Sequence, residues 1–151
     1  MSNGWFDHLK RDFVQGFPAY CGFRVKRVEH GLFEASVTLR PDHRQQDGFV
    51  HAGVIATLAD HTAGYAAFTT ITDAFRILTV EFKINYLRPA AGDTVVCRGK
   101  VIKPGKRIIV SESEVYAGCG SAGSGSAQTL VAKAMVTLTA VPVDSLKGPG
   151  P

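Results

Sequence analysis

One stretch constrains this chain more than any other: from Gly53 to Thr69, GVIATLADHTAGYAAFT holds no proline and is apolar almost all the way round. A helix of that kind must be buried on most sides, and its Ala, Gly and Thr positions let a sheet or a second helix approach closely. What surrounds it alternates with a period of two, the signature of half-buried strands. Phe23 and Val25 stand on one side of a His30-Gly31 turn and Phe33, Ala35, Val37 and Leu39 on the other, so Gly22 to Arg40 predicts a hairpin. After the helix, Leu78, Val80, Phe82, Ile84 and Tyr86 alternate with Thr79, Glu81, Lys83, Asn85 and Leu87 up to Pro89. Further strands are predicted at about Thr94 to Ile102, Arg107 to Tyr116 and Thr129 to Val141.

At the N-terminus, Ser2 or Asn3 can cap a helix with Trp5, Leu9 and Phe13 at four-residue spacing, which Pro18 is expected to stop. The plan is α+β: an antiparallel sheet of five to six strands wrapped around one long central helix, with an N-terminal flanking helix and a four-strand meander after the central one. Residues 1–151 read as a single domain, with 1–20 as the helix or lid and 142–151 as a flexible tail. Ser121 to Ala127, SAGSGSA, reads as a flexible hairpin connection. Such a sheet leaves strand edges and a helix flank open, which pairing with a second copy relieves, so a homodimer is expected.

At 151 residues with 45% hydrophobic content, the chain can bury one core without a disulfide or metal. Cys21, Cys97 and Cys119 lie far apart with no CxxC and no paired Cys/His spacing, so neither a disulfide framework nor a metal site is suggested, and a reducing, cytoplasmic setting is expected. Asp7, Lys10, Arg11 and Asp12 interrupt the N-terminal apolar residues, so no signal peptide is predicted. No apolar run approaches the length of a membrane span. The net charge of +4 is scattered without a Lys/Arg-rich run, so neither membrane nor nucleic acid is an expected partner, while a polyanionic small molecule remains open.

The sharpest local feature is His51-Ala52-Gly53, followed after VIATLA by Asp60. The first N–H groups of a helix lack partners and carry the positive end of its dipole, so Ala52 and Gly53 could hold a carbonyl oxygen or oxyanion. The other reading is an ordinary loop-to-helix turn that His51 helps to close. Asp60 sits in an otherwise apolar helix, where a carboxylate is costly unless solvated or paired. It is either bonded to His61 or a nearby loop, exposed on a polar stripe, or a general base or acyl nucleophile. Gly53 and Asp60 are seven residues apart, roughly 10 Å along the axis, so if both serve one reaction the helix entry of one subunit must meet Asp60 of another.

QQDGFVHAGVIATLADHTAGYAA followed by LTVEFKINYLRPAAGDTV resembles the hotdog-fold acyl-CoA thioesterases, specifically the PaaI-like group of phenylacetate pathways, over about Arg40 to Lys103. The resemblance implies hydrolysis of an acyl-CoA thioester to free acid and CoA, without a cofactor, at a site shared between subunits of a homodimer or dimer of dimers. The family's His-Gly-Gly turn matches His51, Ala52 and Gly53, with the Ala52 amide polarising the thioester carbonyl. Its helix carboxylate matches Asp60, the polar residue of the preceding loop falls on Gln45, and the hydroxyl residue of the following strand falls on Thr79, beside the attacking water. Gln45 can equally be a solvated loop amide and Thr79 an ordinary strand residue. The resemblance places CoA-phosphate cations around the strand ends after the helix, where Arg88, Lys103, Lys106 and Arg107 are candidates. Phe13, Phe17, Tyr65 and Phe68 are candidate acyl-pocket residues. Two rival functions remain: a dehydratase or hydratase of 3-hydroxyacyl thioesters using His51 and Asp60 as an acid/base pair, and a non-catalytic acyl-CoA-binding module.

Overall fold

The computed structural model describes residues 3–119 and 128–146. In chain order the elements are α1 (Asn3–Phe13), α2 (Gly16–Tyr20), β1 (Phe23–Glu29), β2 (Leu32–Thr38), α3 (Ala52–Phe68), β3 (Phe75–Tyr86), β4 (Thr94–Lys103), β5 (Ile108–Gly118) and β6 (Thr129–Pro142). This is the expected α+β plan, six strands in one antiparallel sheet with α3 lying against it.

The small residues of α3 set how closely it meets the sheet. Leu58, Ala59, Ala63, Ala66 and Ala67 are fully buried, and the backbone of Gly99 in β4 lies so near that a Cβ there would sit 2.6 Å from the Thr62 carbonyl oxygen. Any side chain at position 99 would push helix and sheet apart. Leu9 and Phe13 of α1 are fully buried, and Phe13 stacks on Phe33 with centroids 4.8 Å apart. Burying side chains of this size stabilises the fold by about 1.5–3 kcal/mol each, so α1 is part of the core.

Two expectations need correction. The strands after α3 do not form a four-strand meander: the sheet order is β1-β2-β4-β5-β6-β3, so only β4, β5 and β6 follow one another and β3 crosses to the far edge beside β6. The N-terminal helix ends at Phe13, before Pro18, because the backbone is extended at Gln15; Pro18 then falls in the first turn of α2, where its missing N–H costs nothing. Within the stretch expected as a flexible tail, Val143–Ser145 forms a 3-10 turn, with the Val143 N–H donating to the Ala74 carbonyl at 2.9 Å. The Ser121 to Ala127 connection lies outside the described residues, as do the last residues of the tail.

β3 also departs from simple alternation. Its pairing with β6 slips between Thr79 and Glu81, a bulge at Val80. Before the bulge, Ile77 and Thr79 pair with the inward-facing Ala140 and Leu138; after it, Phe82, Ile84 and Tyr86 pair with the inward-facing Val136, Ala134 and Ala132. The bulge therefore switches which residues face α3. The outer edge of β3 has no strand beside it, and Leu78, Val80 and Phe82 along it are 44%, 58% and 37% exposed.

Candidate active site

The loop before α3 is fastened rather than free. Arg44 bridges to Val50, the Gln45 N–H donates to Phe49, and the His51 N–H donates to His43 at 2.8 Å. This delivers His51 in an extended conformation at the helix entry, where its Nδ1 accepts the Gly53 N–H at 2.9 Å. The Gly53 amide is thus engaged by the His51 cap, which corrects its expected role as a second oxyanion donor. Gly53 matters for another reason: a Cβ there would lie 3.0 Å from Nδ1 and crowd the imidazole. The next amides, of Val54 and Ile55, turn back to the His51 carbonyl. The Ala52 N–H has no acceptor among the described residues. Ala52 borders a hollow of about 400 Å³ together with Gln45, Tyr86 and Arg88. There the Tyr86 hydroxyl donates to the Ala52 carbonyl at 3.1 Å, while the Gln45 side chain folds onto Asp47, accepting its N–H.

Asp60 lies two turns further along α3 and is half-buried. The Thr79 hydroxyl donates to its Oδ1 at 2.9 Å. Burial pushes the Asp60 carboxyl above its ordinary value, against a downward pull from the Thr79 bond and from His61. His61 is not its hydrogen-bond partner: Nε2 lies 3.0 Å from the Phe13 carbonyl, which requires the proton on that nitrogen, and burial lowers the tendency of the ring to take a second one. Asp60 and Thr79 border a cavity of about 340 Å³ together with Gly64, Tyr65, Phe68 and Arg76. Of the expected acyl-pocket aromatics, Tyr65 and Phe68 are here. Phe13 belongs to the core instead, and Phe17 is 60% exposed on α2.

The candidate residues thus gather in two groups: Ala52, Gln45, His51 and Arg88 at the helix entry, and Asp60 with Thr79 at the second cavity. Eight residues of α3 separate Ala52 from Asp60, about 12 Å of axial rise. Lys103, Lys106 and Arg107 are not beside Arg88: Lys103 ends β4, Lys106 and Arg107 lie in the turn to β5, and Lys106 borders a different hollow with Thr70 and Thr72, just past the other end of α3. Arg88 is the one expected cation that borders the helix-entry hollow, its Nη1 donating to the Leu130 carbonyl. Asp12, Arg76 and Leu146 also border the Asp60 cavity, and none was singled out for it from the sequence; they lie far from Asp60 along the chain, and only the folding of α1, β3 and the C-terminal turn onto α3 brings them in. No group of three or more His, Cys, Asp or Glu side chains among the described residues could hold a metal ion.

The sequence pattern of the thioesterase superfamily matches residues 47–123. A protein of Saccharolobus solfataricus whose name proposes an esterase is 32% identical over 101 residues, 67% of this chain and 71% of its own length. The crystal structure of a thioesterase family protein from Silicibacter pomeroyi superposes with a TM-score of 0.83 at 32% identity, over 91% of this chain and 98% of that one. A thioesterase from Haemophilus influenzae shares the fold, with a TM-score of 0.78 at 18% identity over 91% of this chain and 90% of its own.

Proposed function

Because the chain belongs to the thioesterase superfamily and has its hotdog fold, we propose that it hydrolyses an acyl-CoA thioester to the free acid and CoA at a site shared between two copies. The observation that carries this reading is the separation on α3: an Ala52 N–H with no acceptor among the described residues at one end and a Thr79-bonded carboxylate about 12 Å away. Neither half suffices for acyl transfer, and a two-fold pairing with antiparallel α3 helices makes two complete sites. The unpaired, apolar edge of β3 supports such a pairing.

The thioester carbonyl of the substrate docks on the Ala52 N–H of one copy. Asp60 of the other copy, held by Thr79, takes a proton from water as it attacks the carbonyl carbon, or attacks directly to form an anhydride that water then opens. The oxyanion that develops is stabilised by the Ala52 amide, a contribution of roughly 2.7–4 kcal/mol for one well-placed donor. Collapse of the tetrahedral intermediate expels CoA as thiolate. Gln45 borders the same hollow and can turn its amide toward the carbonyl. Arg88, also at that hollow, supports CoA as the carrier by offering a cation to its phosphates, as does the PaaI-like motif pair.

The test is release of free thiol from a panel of aromatic and straight-chain acyl-CoAs by the wild type and Asp60→Asn. A drop of more than about a hundredfold in the variant, roughly 2.7 kcal/mol of barrier, is expected. Hydration of a crotonyl thioester without thiol release would establish the hydratase instead, and saturable binding without either reaction would establish a binding module.

A further inference from the structure

Besides the apolar side chains of Phe68, Ile77, Leu78 and Leu146, the cavity that holds Asp60 is bordered by the polar side chains of Asp12, Tyr65 and Arg76. Asp60, Gly64 and Phe68 follow one another a turn apart along one line of α3, and Gly64, lacking a side chain, leaves a trough between the carboxylate and the aromatic ring. Beyond the trough, the Tyr65 hydroxyl donates to Asp12 Oδ2 at 2.7 Å. Arg76 enters from β3, its Cζ 5.8 Å from the Phe68 ring centroid and its Nη1 donating to the Asp73 and Phe75 carbonyls at 3.0 Å. Among the described residues Asp12 makes no ion pair, and its Oδ1 has only a 3.4 Å contact from Gln15. The hydrolytic step uses none of these groups.

Their chemistry restricts what can lie against them. A plain alkyl terminus reaching this wall would displace water from a carboxylate and a guanidinium and return no hydrogen bond. A terminal carboxylate would meet Asp12, and a terminal ammonium would meet Arg76. A hydroxyl satisfies both signs at once, donating to the open lone pairs of Asp12 and accepting from the cationic side. Tyr65 lies five residues past Asp60, about 7.5 Å along the axis, which limits the acyl group to a short chain.

We propose that Asp12 and Tyr65, with Arg76, form the specificity-determining end wall of the acyl pocket and select short acyl groups bearing a terminal hydroxyl over unsubstituted chains. This rests on hydrolysis at Asp60, so the test separates binding from turnover. Matched thioesters, ω-hydroxyhexanoyl-CoA and hexanoyl-CoA, are compared by kcat/KM in the wild type, Asp12→Ala and Tyr65→Phe, and by calorimetric binding to the Asp60→Asn protein. The wild type is expected to favour the hydroxylated substrate by about tenfold or more, Asp60→Asn to bind it more tightly by a similar factor, and both wall variants to bring the kcat/KM ratio toward one. General structural damage would lower both substrates together and leave the ratio unchanged. An unchanged ratio in both variants, or equal binding of the two thioesters by Asp60→Asn, overturns the proposal. A binding preference without thiol release from any substrate overturns hydrolysis while upholding the wall.

Discussion

The Thr79 hydroxyl reaches from the edge strand to the central helix and donates to Asp60 at 2.9 Å. The bulge at Val80 makes this compatible with a well-packed strand, since it lets Thr79 face α3 in one phase while Phe82 and Ile84 face it in the next. The bond also opposes the burial that pushes the Asp60 carboxyl up. Thr79→Val, which keeps the shape and removes the donor, should raise that pKa further. Asp60 must be ionised to act as base or nucleophile, so the acid limb of kcat/KM should lie above the ordinary carboxylate range in the wild type. It should move to higher pH in the variant, with the plateau falling roughly tenfold. Thr79→Ser should keep the limb in place. A limb that stays put in Thr79→Val would show that the hydroxyl does not hold the reacting carboxylate.

Asp60 should also reveal itself in stability. Its native pKa is raised, so between the ordinary value of 3.8 and the raised one the native state binds more protons than the unfolded chain. Stability is therefore fullest below this window and is lost as pH rises through it. Asp60→Asn removes the charge, and its amide oxygen still accepts from Thr79. The variant should melt at a higher temperature than the wild type at neutral pH, with the gap closing as the pH falls toward the carboxylate range, which calorimetry across pH reads directly. A variant that melts lower at neutral pH would mean that Asp60 contributes to the fold as an anion.

How far the sequence reveals this arrangement follows from which signals are local. The apolar run from Gly53 fixes α3 to within one residue, and alternation finds every strand of the sheet. The placement of β3 beside β6 is set by pairing between residues far apart in the chain, from Tyr86 with Ala132 to Phe75 with Pro142, which no local pattern carries. The bulge is hidden for a related reason: Leu78, Val80, Phe82, Ile84 and Tyr86 look like one face, and only the register with β6 shows the face changing at Val80. At the candidate site, His51 before a helix and Asp60 within an apolar one stand out in the sequence itself, while Thr79 stands out only through the resemblance. That the His51 ring would occupy the Gly53 amide, or that α1 would bring Asp12 to Tyr65, depends on side-chain geometry that spacing does not encode.

The His51 cap gives a prediction independent of turnover. With Nδ1 accepting from Gly53, His51 takes the place usually filled by Ser, Thr, Asn or Asp at a helix entry. His51→Ala should cost about 1 kcal/mol in chemical denaturation, and His51→Asn should recover most of it because its side-chain oxygen can accept the same proton. Equal losses in the two variants would show that the imidazole stabilises the turn by packing rather than by capping.

The shared site can be tested by complementation, because each half has a variant that disables it alone. Ala52→Pro deletes the one amide of the first turn that has no acceptor among the described residues. It does so at the first helical position, which tolerates proline, after a His51 whose φ of −62° and ψ of 135° suit a residue preceding proline. Loss of that donor should lower activity by about a hundredfold or more, and Asp60→Asn should do the same. Mixed dimers of the two, isolated through a different affinity tag on each chain, then contain one site carrying both lesions and one carrying neither. They should regain about half of the wild-type activity. Val80→Lys places a charge on the outer edge of β3, where Val80 is 58% exposed. It should give a monomer by light scattering that releases no thiol. Mixed dimers as inactive as either parent, or a Val80→Lys monomer with full turnover, would place both halves of the chemistry within a single chain.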